Sequence, residues 1–531
     1  MDIRTKLGQM VCVGFEGTTP PEGLLALIRE YKIGNLSLYA HNFTDKDQAR
    51  RLVQELTGCI REQTGVMPFL SVDQEGGMVT RFSGDFTHFP GAMAVAATGD
   101  PENAYRVGLY SGRELLAVGL NADFAPVVDI NSNIQNPVIG VRSYGDTPEQ
   151  VIRYSMEMLR GLEDAGVLSM LKHFPGHGDT SSDSHFALPT VDKTLDELFE
   201  TELKPYIEGI RRGAPAIMTS HIVFPKIDPS GIPATMSKVI LRDLLRGRLG
   251  FQGIIRTDDL EMEAIRREFG ILEGAVAAIR AGADIVSISR SPEIAARFIE
   301  TVEGQLACGE LPIEVVDAAV ERILACKAKY CGQPMPGLEI VGCQEHCAAA
   351  RAISERSIAC YRDCGRLPVE GRVLVVGTNA FNQTNVRNPL QLELNAASRL
   401  SGRLGGQGIT VSTQPTPEEQ EQVLAQAREA DTVVLCTYNA HLFTQQLELA
   451  RRLAQAHPGV VFAALRNPYD LPLLPEGCTA LACYEYTPDS LAVLGDILAG
   501  TLRPQGSICV ALKAAPNSSP TPAPRSAAND A

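Results

Sequence analysis

The densest chemistry in the chain lies between Lys172 and His185. There Lys-His-Phe-Pro-Gly-His-Gly-Asp-Thr-Ser-Ser-Asp-Ser-His places three histidines, two aspartates, one lysine and two glycines in one short stretch. Helical spacing does not explain this density. Pro175, Gly176 and Gly178 break regular structure, so the stretch reads as a loop whose glycines let it bend sharply or close over a bound molecule. Asp183 and His185 are one residue apart, which in an extended segment puts both side chains on the same side. A carboxylate accepting from one imidazole nitrogen fixes the tautomer and leaves the other nitrogen to exchange a proton with a substrate. An imidazole pKa of roughly 6.5 already suits that task near neutral pH. Metal binding is the rival reading, with His173, His177, Asp179, Asp183 and His185 as ligands, but no HExxH or other helix-spaced ligand pair is present and no metal is expected. The second informative stretch, Gly253-Ile-Ile-Arg-Thr-Asp-Asp-Leu-Glu-Met262, is an apolar run that leads straight into two carboxylates. One of Asp258 and Asp259 can cap or bond locally while the other faces a site.

Elements of a particular kind must position these groups. From Met10 to about Ser289 a short apolar run, a polar or Gly-rich break and a helical stretch alternate eight times. The runs are 10–13, 35–38, 69–72, 122–128, 168–171, 216–218, 253–255 and 284–288. Buried parallel strands read as continuous apolar runs, and eight βα units imply a closed (β/α)8 barrel. Polar residues follow several runs: Asp73 and Glu75, Asp129, Lys172 and His173, His221, then Asp258 and Asp259. In a barrel such positions converge on the C-terminal rim, where barrel enzymes hold their chemistry.

The expected organisation is a barrel over 1–332, a linker and connecting helix over 333–371 marked by Gln333-Pro-Met-Pro-Gly337, a smaller α/β sandwich over 372–513, and a disordered Pro/Ser/Ala-rich tail over 514–531. Gly377 follows a strand without a GxGxxG pattern, so no dinucleotide or other cofactor is expected. The chain has 531 residues and a formal charge of −15, with no basic stripe, which argues against a nucleic-acid partner. No apolar stretch reaches the roughly 20 residues of a membrane span, and the first residues lack the pattern of a signal peptide. Thirteen scattered cysteines read as reduced thiols, so the expected location is the cytoplasm. Six of them, between Cys326 and Cys364, include i,i+4 pairs but no CxxC.

The motifs together resemble glycoside hydrolase family 3, and within it the β-N-acetylglucosaminidases of bacterial cell-wall recycling. Lys172 to His185 is similar to that group's KHFPGHGDT…DSH signature, and Thr257-Asp-Asp-Leu-Glu-Met262 to its nucleophile motif. Val72-Asp-Gln-Glu-Gly-Gly77 with Arg81, Phe124-Ala-Pro-Val-Val-Asp129, Arg142-Ser-Tyr-Gly145 and Met218-Thr-Ser-His221 are similar as well, in the family's order. The resemblance implies Asp258 as nucleophile and Asp183 with His185 as the acid/base dyad. It implies that Asp73 binds sugar hydroxyls and that Arg81, Arg142, Lys172, His173 and His221 line the sugar subsite. The reaction it implies is a retaining double displacement on a small glycan bearing terminal β-N-acetylglucosamine, such as a muropeptide fragment. Family 3 β-glucosidases usually take their acid/base from a Glu outside this loop, so the Asp-x-His points to N-acetylglucosaminides. Met78, where the recycling enzymes often carry Arg, departs from the pattern and implies altered tuning near the subsite. The alternatives are a β-glucosidase, xylosidase or phosphorylase on the same fold, and a non-catalytic glycan-binding protein.

Overall fold

The computed structural model describes residues 1–181, 188–379 and 394–512. Asp183 and His185 therefore lie outside the described residues, as does the expected tail. Among the described residues, eight strands form one sheet: β1 Val11–Val13, β2 Asn35–Ser37, β3 Phe69–Val72, β4 Ala122–Asp123, β5 Leu171–Phe174, β6 Ala216–Thr219, β7 Ile254–Asp259 and β8 Ile285–Ile288. Their spatial order is β4-β3-β2-β1-β8-β7-β6-β5, and every pairing is parallel. The two ends of this order meet. Asp123 N donates to Leu168 O at 2.8 Å, Met170 N to Ala125 O at 2.8 Å and Val128 N to Lys172 O at 2.9 Å. The sheet thus curls into the expected α/β barrel, with its seam between β4 and β5 made of irregular bonds.

That seam explains two differences from the sequence reading. The fourth strand is regular only over Ala122–Asp123, because Pro126 has no amide to give to a ladder. The fifth is regular over Leu171–Phe174 rather than 168–171, so Lys172 and His173 stand on the strand instead of after it. Both are buried, and charge in a strand is tolerated here because carboxylates lie opposite. The surrounding helices bury one face and carry local stop and start signals. Helix Pro148–Ala165, for example, starts on Thr147 with Pro148 at its first position and packs along helix Glu102–Val118.

Beyond the barrel, helix Gln344–Ser357 leads into β9, Ala359–Arg362. This strand joins a second sheet with β10 Val373–Thr378, β11 Gln407–Val411, β12 Thr432–Thr437, β13 Val460–Ala464 and β14 Thr479–Ala482, in the order β11-β10-β12-β13-β14-β9. All pairings are parallel except β14 with β9. Alternate residues of the central strands feed two cores. Val373, Val375, Val434, Cys436, Val461 and Ala463 face one side. Leu374, Val376, Val433, Leu435, Phe462 and Ala464 face the other, in a core that also takes in Met78, Met93 and Val141 of the barrel. The second unit is thereby packed against the barrel by a shared apolar core. All thirteen cysteines are free thiols.

Candidate active site

Two carboxylates and three cations form the polar centre of the rim. Asp73 follows β3, and its two oxygens accept from Lys172 Nζ at 2.8 Å and from an Arg81 guanidinium nitrogen at 2.7 Å. Glu75, two residues on, takes a bidentate contact from Arg142 at 2.8 and 2.9 Å and an ion pair from Lys172 Nζ at 2.5 Å. Lys172 is 1% exposed and bridges the two carboxylates. Burial pushes against charge in Asp73, Glu75, Arg142 and Lys172, and the neighbours overcome it. Lys172 and Arg81 hold the Asp73 carboxyl far below its usual range, and Arg142 with Lys172 brings Glu75 down to about 2. Lys172 itself is raised by Asp73 and Glu75 against the effect of burial. Asp73, Glu75, Arg142 and Lys172 are therefore charged near neutral pH, a set of fixed donors and acceptors suited to the hydroxyls of a polar ligand.

Asp129 organises the seam. Its carboxylate accepts from the His173 ring at 2.7 Å, from the His173 amide at 3.2 Å and from the His177 amide at 2.7 Å. Burial raises the Asp129 carboxyl, but His173 and His177 lower it further than burial lifts it. His177 is pushed down to about 4, by burial first and by His173 second, so its ring is neutral at physiological pH. The segment that follows lies tightly on the barrel. A Cβ on Gly178 would sit 1.6 Å from Ile130 O, so no side chain fits there.

On the strand next to β5, His221 lies just beyond β6. Its Nδ1 contacts Thr235 Oγ1 at 2.9 Å and its Nε2 contacts the carbonyl of Asp259 at 3.0 Å, tying it to the end of β7. Asp258 and Asp259 are the last residues of β7 and are half-buried. Asp259 takes the local role. Its carboxylate accepts from the Glu261 amide at 3.2 Å and contacts the Ser289 hydroxyl, and burial raises its pKa. Asp258 accepts from the Asp259 amide at 2.8 Å. Beneath them Arg256 is buried against Phe124 and donates to Ser37 and Ser287 at 2.7 and 3.0 Å. Tyr39, after β2, joins the two halves of the rim. Its hydroxyl is driven far above the phenol range by burial and by the Asp259 and Asp73 carboxylates close to it, and the Arg81 guanidinium stands 5.9 Å over its ring.

The structure thus brings Asp73, Arg81, Arg142 and Lys172 into one cluster and sets His173 beside it on Asp129. His221 follows the neighbouring strand β6, and Asp258 follows on β7, opposite β3 in the barrel order. The cleft also holds groups that the sequence reading left out of the site. Glu75 was recognised as a rim residue but not as the partner of Arg142 and Lys172; its signal was the i,i+2 spacing from Asp73. Met78 is 8% exposed and belongs to the core shared with the second unit, which accounts for an apolar residue at this place. Glu485, just past β14, reaches the same wall. Its carboxyl accepts from the Gly91 amide, lies 98% buried, and is raised by that burial to about 8.

Comparison with known proteins decides the family. The model of the glycosyl hydrolase family 3 N-terminal domain matches residues 2–326, which include all eight barrel strands. The chain belongs to glycosyl hydrolase family 3. Beta-hexosaminidase A of Pseudoalteromonas piscicida is 37% identical over 334 residues, which cover 59% of this chain and 56% of that protein; the chain thus spans little more than half of that relative's length. A family 3 β-N-acetylglucosaminidase from Paenibacillus sp. superposes with a TM-score of 0.89 at 37% identity, covering 96% of this chain and 99% of the other. A β-glucoside phosphorylase superposes with a TM-score of 0.80 at 25% identity, covering 96% and 94%. The family 3 architecture of barrel followed by a mixed second sheet therefore extends over both units of this chain.

Proposed function

We propose that this family 3 protein is a retaining β-N-acetylhexosaminidase that removes terminal non-reducing β-N-acetylglucosamine from small glycans such as muropeptide fragments. The observation that carries the reading is the rim itself. Asp258 stands at the end of β7, on the strand opposite β3 and its charged Asp73, Lys172 and Arg81 cluster, and Tyr39 lies near both Asp73 and the neighbouring Asp259. In the proposed reaction Asp73 accepts from sugar hydroxyls while Lys172, Arg81 and Arg142 fix the ring and its neighbours. Asp258 attacks the anomeric carbon as the bond to the leaving oxygen breaks, and His185, held by Asp183, protonates that oxygen. Neutral His185 then takes a proton from water, whose oxygen displaces Asp258 and restores the original configuration. The similarity to a family 3 β-N-acetylglucosaminidase and to a β-hexosaminidase supports the substrate class. Among the described residues no helix is long and apolar enough to cross a membrane. The thirteen free thiols support a reducing compartment, and with it the cytoplasm.

An aryl N-acetyl-β-glucosaminide tests the proposal. Wild type should release the phenol and the β-anomer first, as read by proton NMR of the fresh product, whereas the matching aryl glucoside should turn over far more slowly. The likeness to a β-glucoside phosphorylase favours a second reading, in which phosphate replaces water in the second step. Release of N-acetylglucosamine 1-phosphate in phosphate buffer would select it; free sugar alone selects hydrolysis.

A further inference from the structure

Besides Glu485, the second unit reaches the site through buried hydrogen bonds that start at Tyr469. The residues after β4, from Asn131 to Gly145, form the turn that carries Arg142. Asn131 is 1% exposed, and its Nδ2 donates at 2.7 Å to the hydroxyl of Tyr469, which lies after β13 in the second unit and is 4% exposed. Asn131 Oδ1 accepts from the amide of Gly140 at 3.1 Å, at the start of the short helix Gly140–Arg142. Five residues further on, Asn136 is also 1% exposed. Its Oδ1 accepts from the amides of Val138 and Ile139 at 2.9 and 2.8 Å. Its Nδ2 donates to His177 O at 2.8 Å and to Thr180 Oγ1 at 3.2 Å, on the segment that follows β5. Asn467, two residues from Tyr469, closes against the same turn. A Cβ at Gly140 would sit 2.6 Å from Asn467 Oδ1, and Gly140 has a φ of +45°, so both space and conformation require glycine there.

We propose that Tyr469, acting through Asn131 and Asn136, is a positioning residue for the barrel's reaction site: the second unit holds the Arg142 turn and the His177–Thr180 segment in register with each other. Neither Tyr469 nor Asn136 belongs to the cluster of charged groups that would meet a sugar, so their effect is indirect. It is nevertheless directed, because the turn they brace carries the guanidinium that pairs with Glu75, and the segment they brace carries the amide that Asp129 holds. The kinetic part of the proposal rests on the glycosidase reading above; the geometric part does not.

The test uses the full chain and two conservative variants. Tyr469→Phe removes one hydroxyl and keeps the ring. Asn136→Asp keeps the acceptor for Val138 and Ile139 and removes the donor to His177 and Thr180. Hydrogen exchange followed by mass spectrometry should show faster exchange in peptides spanning 137–145 and 176–181 in both variants, with the β10–β13 peptides unchanged. On an aryl N-acetyl-β-glucosaminide, kcat/KM per folded enzyme should fall roughly three- to tenfold in each, the size of one lost hydrogen bond. The double variant should lose no more than the worse single variant, because both break the same strut. Unchanged exchange in the two peptides overturns the proposal, and so does a double variant whose loss is the product of the single losses. Faster exchange in an enzyme without turnover of the glycoside would uphold the strut and refute the glycosidase reading; turnover with unchanged exchange and unchanged kcat/KM would do the reverse.

Discussion

Replacing Lys172 by Met removes the one cation shared by Asp73 and Glu75 and keeps a side chain of similar length. In the native protein these carboxylates lie 2.8 and 2.5 Å from Nζ, each with one further arginine. Breaking a buried ion pair by deleting one partner costs about 3–5 kcal/mol. Glu75 gives an independent scale: lowering its carboxyl from 4.5 to about 2 corresponds to about 3 kcal/mol, a value that Arg142 and Lys172 share. The pH dependence has a definite sign. A carboxyl whose folded pKa is depressed contributes stability above its unfolded pKa and loses it as pH falls through the folded value. The difference between wild type and Lys172→Met should therefore be full at pH 7 and shrink between pH 4.5 and about 2, where wild type itself loses the Glu75 contribution. The chain has no tryptophan, so urea unfolding is followed by far-UV circular dichroism, with the early transition assigned to the barrel by hydrogen exchange. A deficit below about 1 kcal/mol at pH 7, or one that does not vary with pH, would refute the argument that this lysine offsets two buried charges.

Three further substitutions probe two buried acids. Glu485 is raised by burial to about 8, so the folded protein holds a proton there that the unfolded chain releases near 4.5. Native stability should decline as pH rises from about 4.5 to 8, by a few kcal/mol at most, and Glu485→Gln should flatten that decline in a thermal scan across pH. Asp123 is also raised well above its ordinary value by burial; its Oδ1 accepts from the Gln74 amide at 2.9 Å, and its Oδ2 has no partner among the described residues. Asp123→Asn should shift the melting midpoint by no more than about 2 °C, whereas Asp123→Ala, which strands that amide, should cost about 1–3 kcal/mol.

Strands of both units were legible because parallel strands buried on two faces are written as largely apolar runs, unbroken at Val373–Val376 and interrupted only by Ser71 at Phe69–Val72. The register of β5 was not, since Lys172 and His173 look like loop residues until Asp73 and Asp129 are seen opposite them. Nor was β9, whose four residues Ala-Cys-Tyr-Arg form a partly exposed edge strand with no periodic signature. The charged rim residues were legible one by one from their places after apolar runs. Their pairing was not, because Lys172 lies 99 residues from Asp73, and sequence order does not say which strand ends meet. The brace from Tyr469 to Asn131 spans 338 residues and joins two uncharged side chains of ordinary type, so nothing local announces it. Met78, which departs from the family pattern near the subsite, also contacts the second unit, a role invisible until the two cores are seen to merge.

The proposed double displacement requires Asp258 to form a bond to the sugar. The most direct measurement is the intact mass of the enzyme after brief exposure to a fluorinated N-acetylglucosaminyl fluoride, whose second displacement is slowed by the ring fluorine. One added sugar per chain is expected, located by peptide mapping to the segment 254–262, with no added mass in Asp258→Asn. An adduct on another carboxylate, or an unmodified enzyme that still turns over the aryl N-acetylglucosaminide, would contradict it.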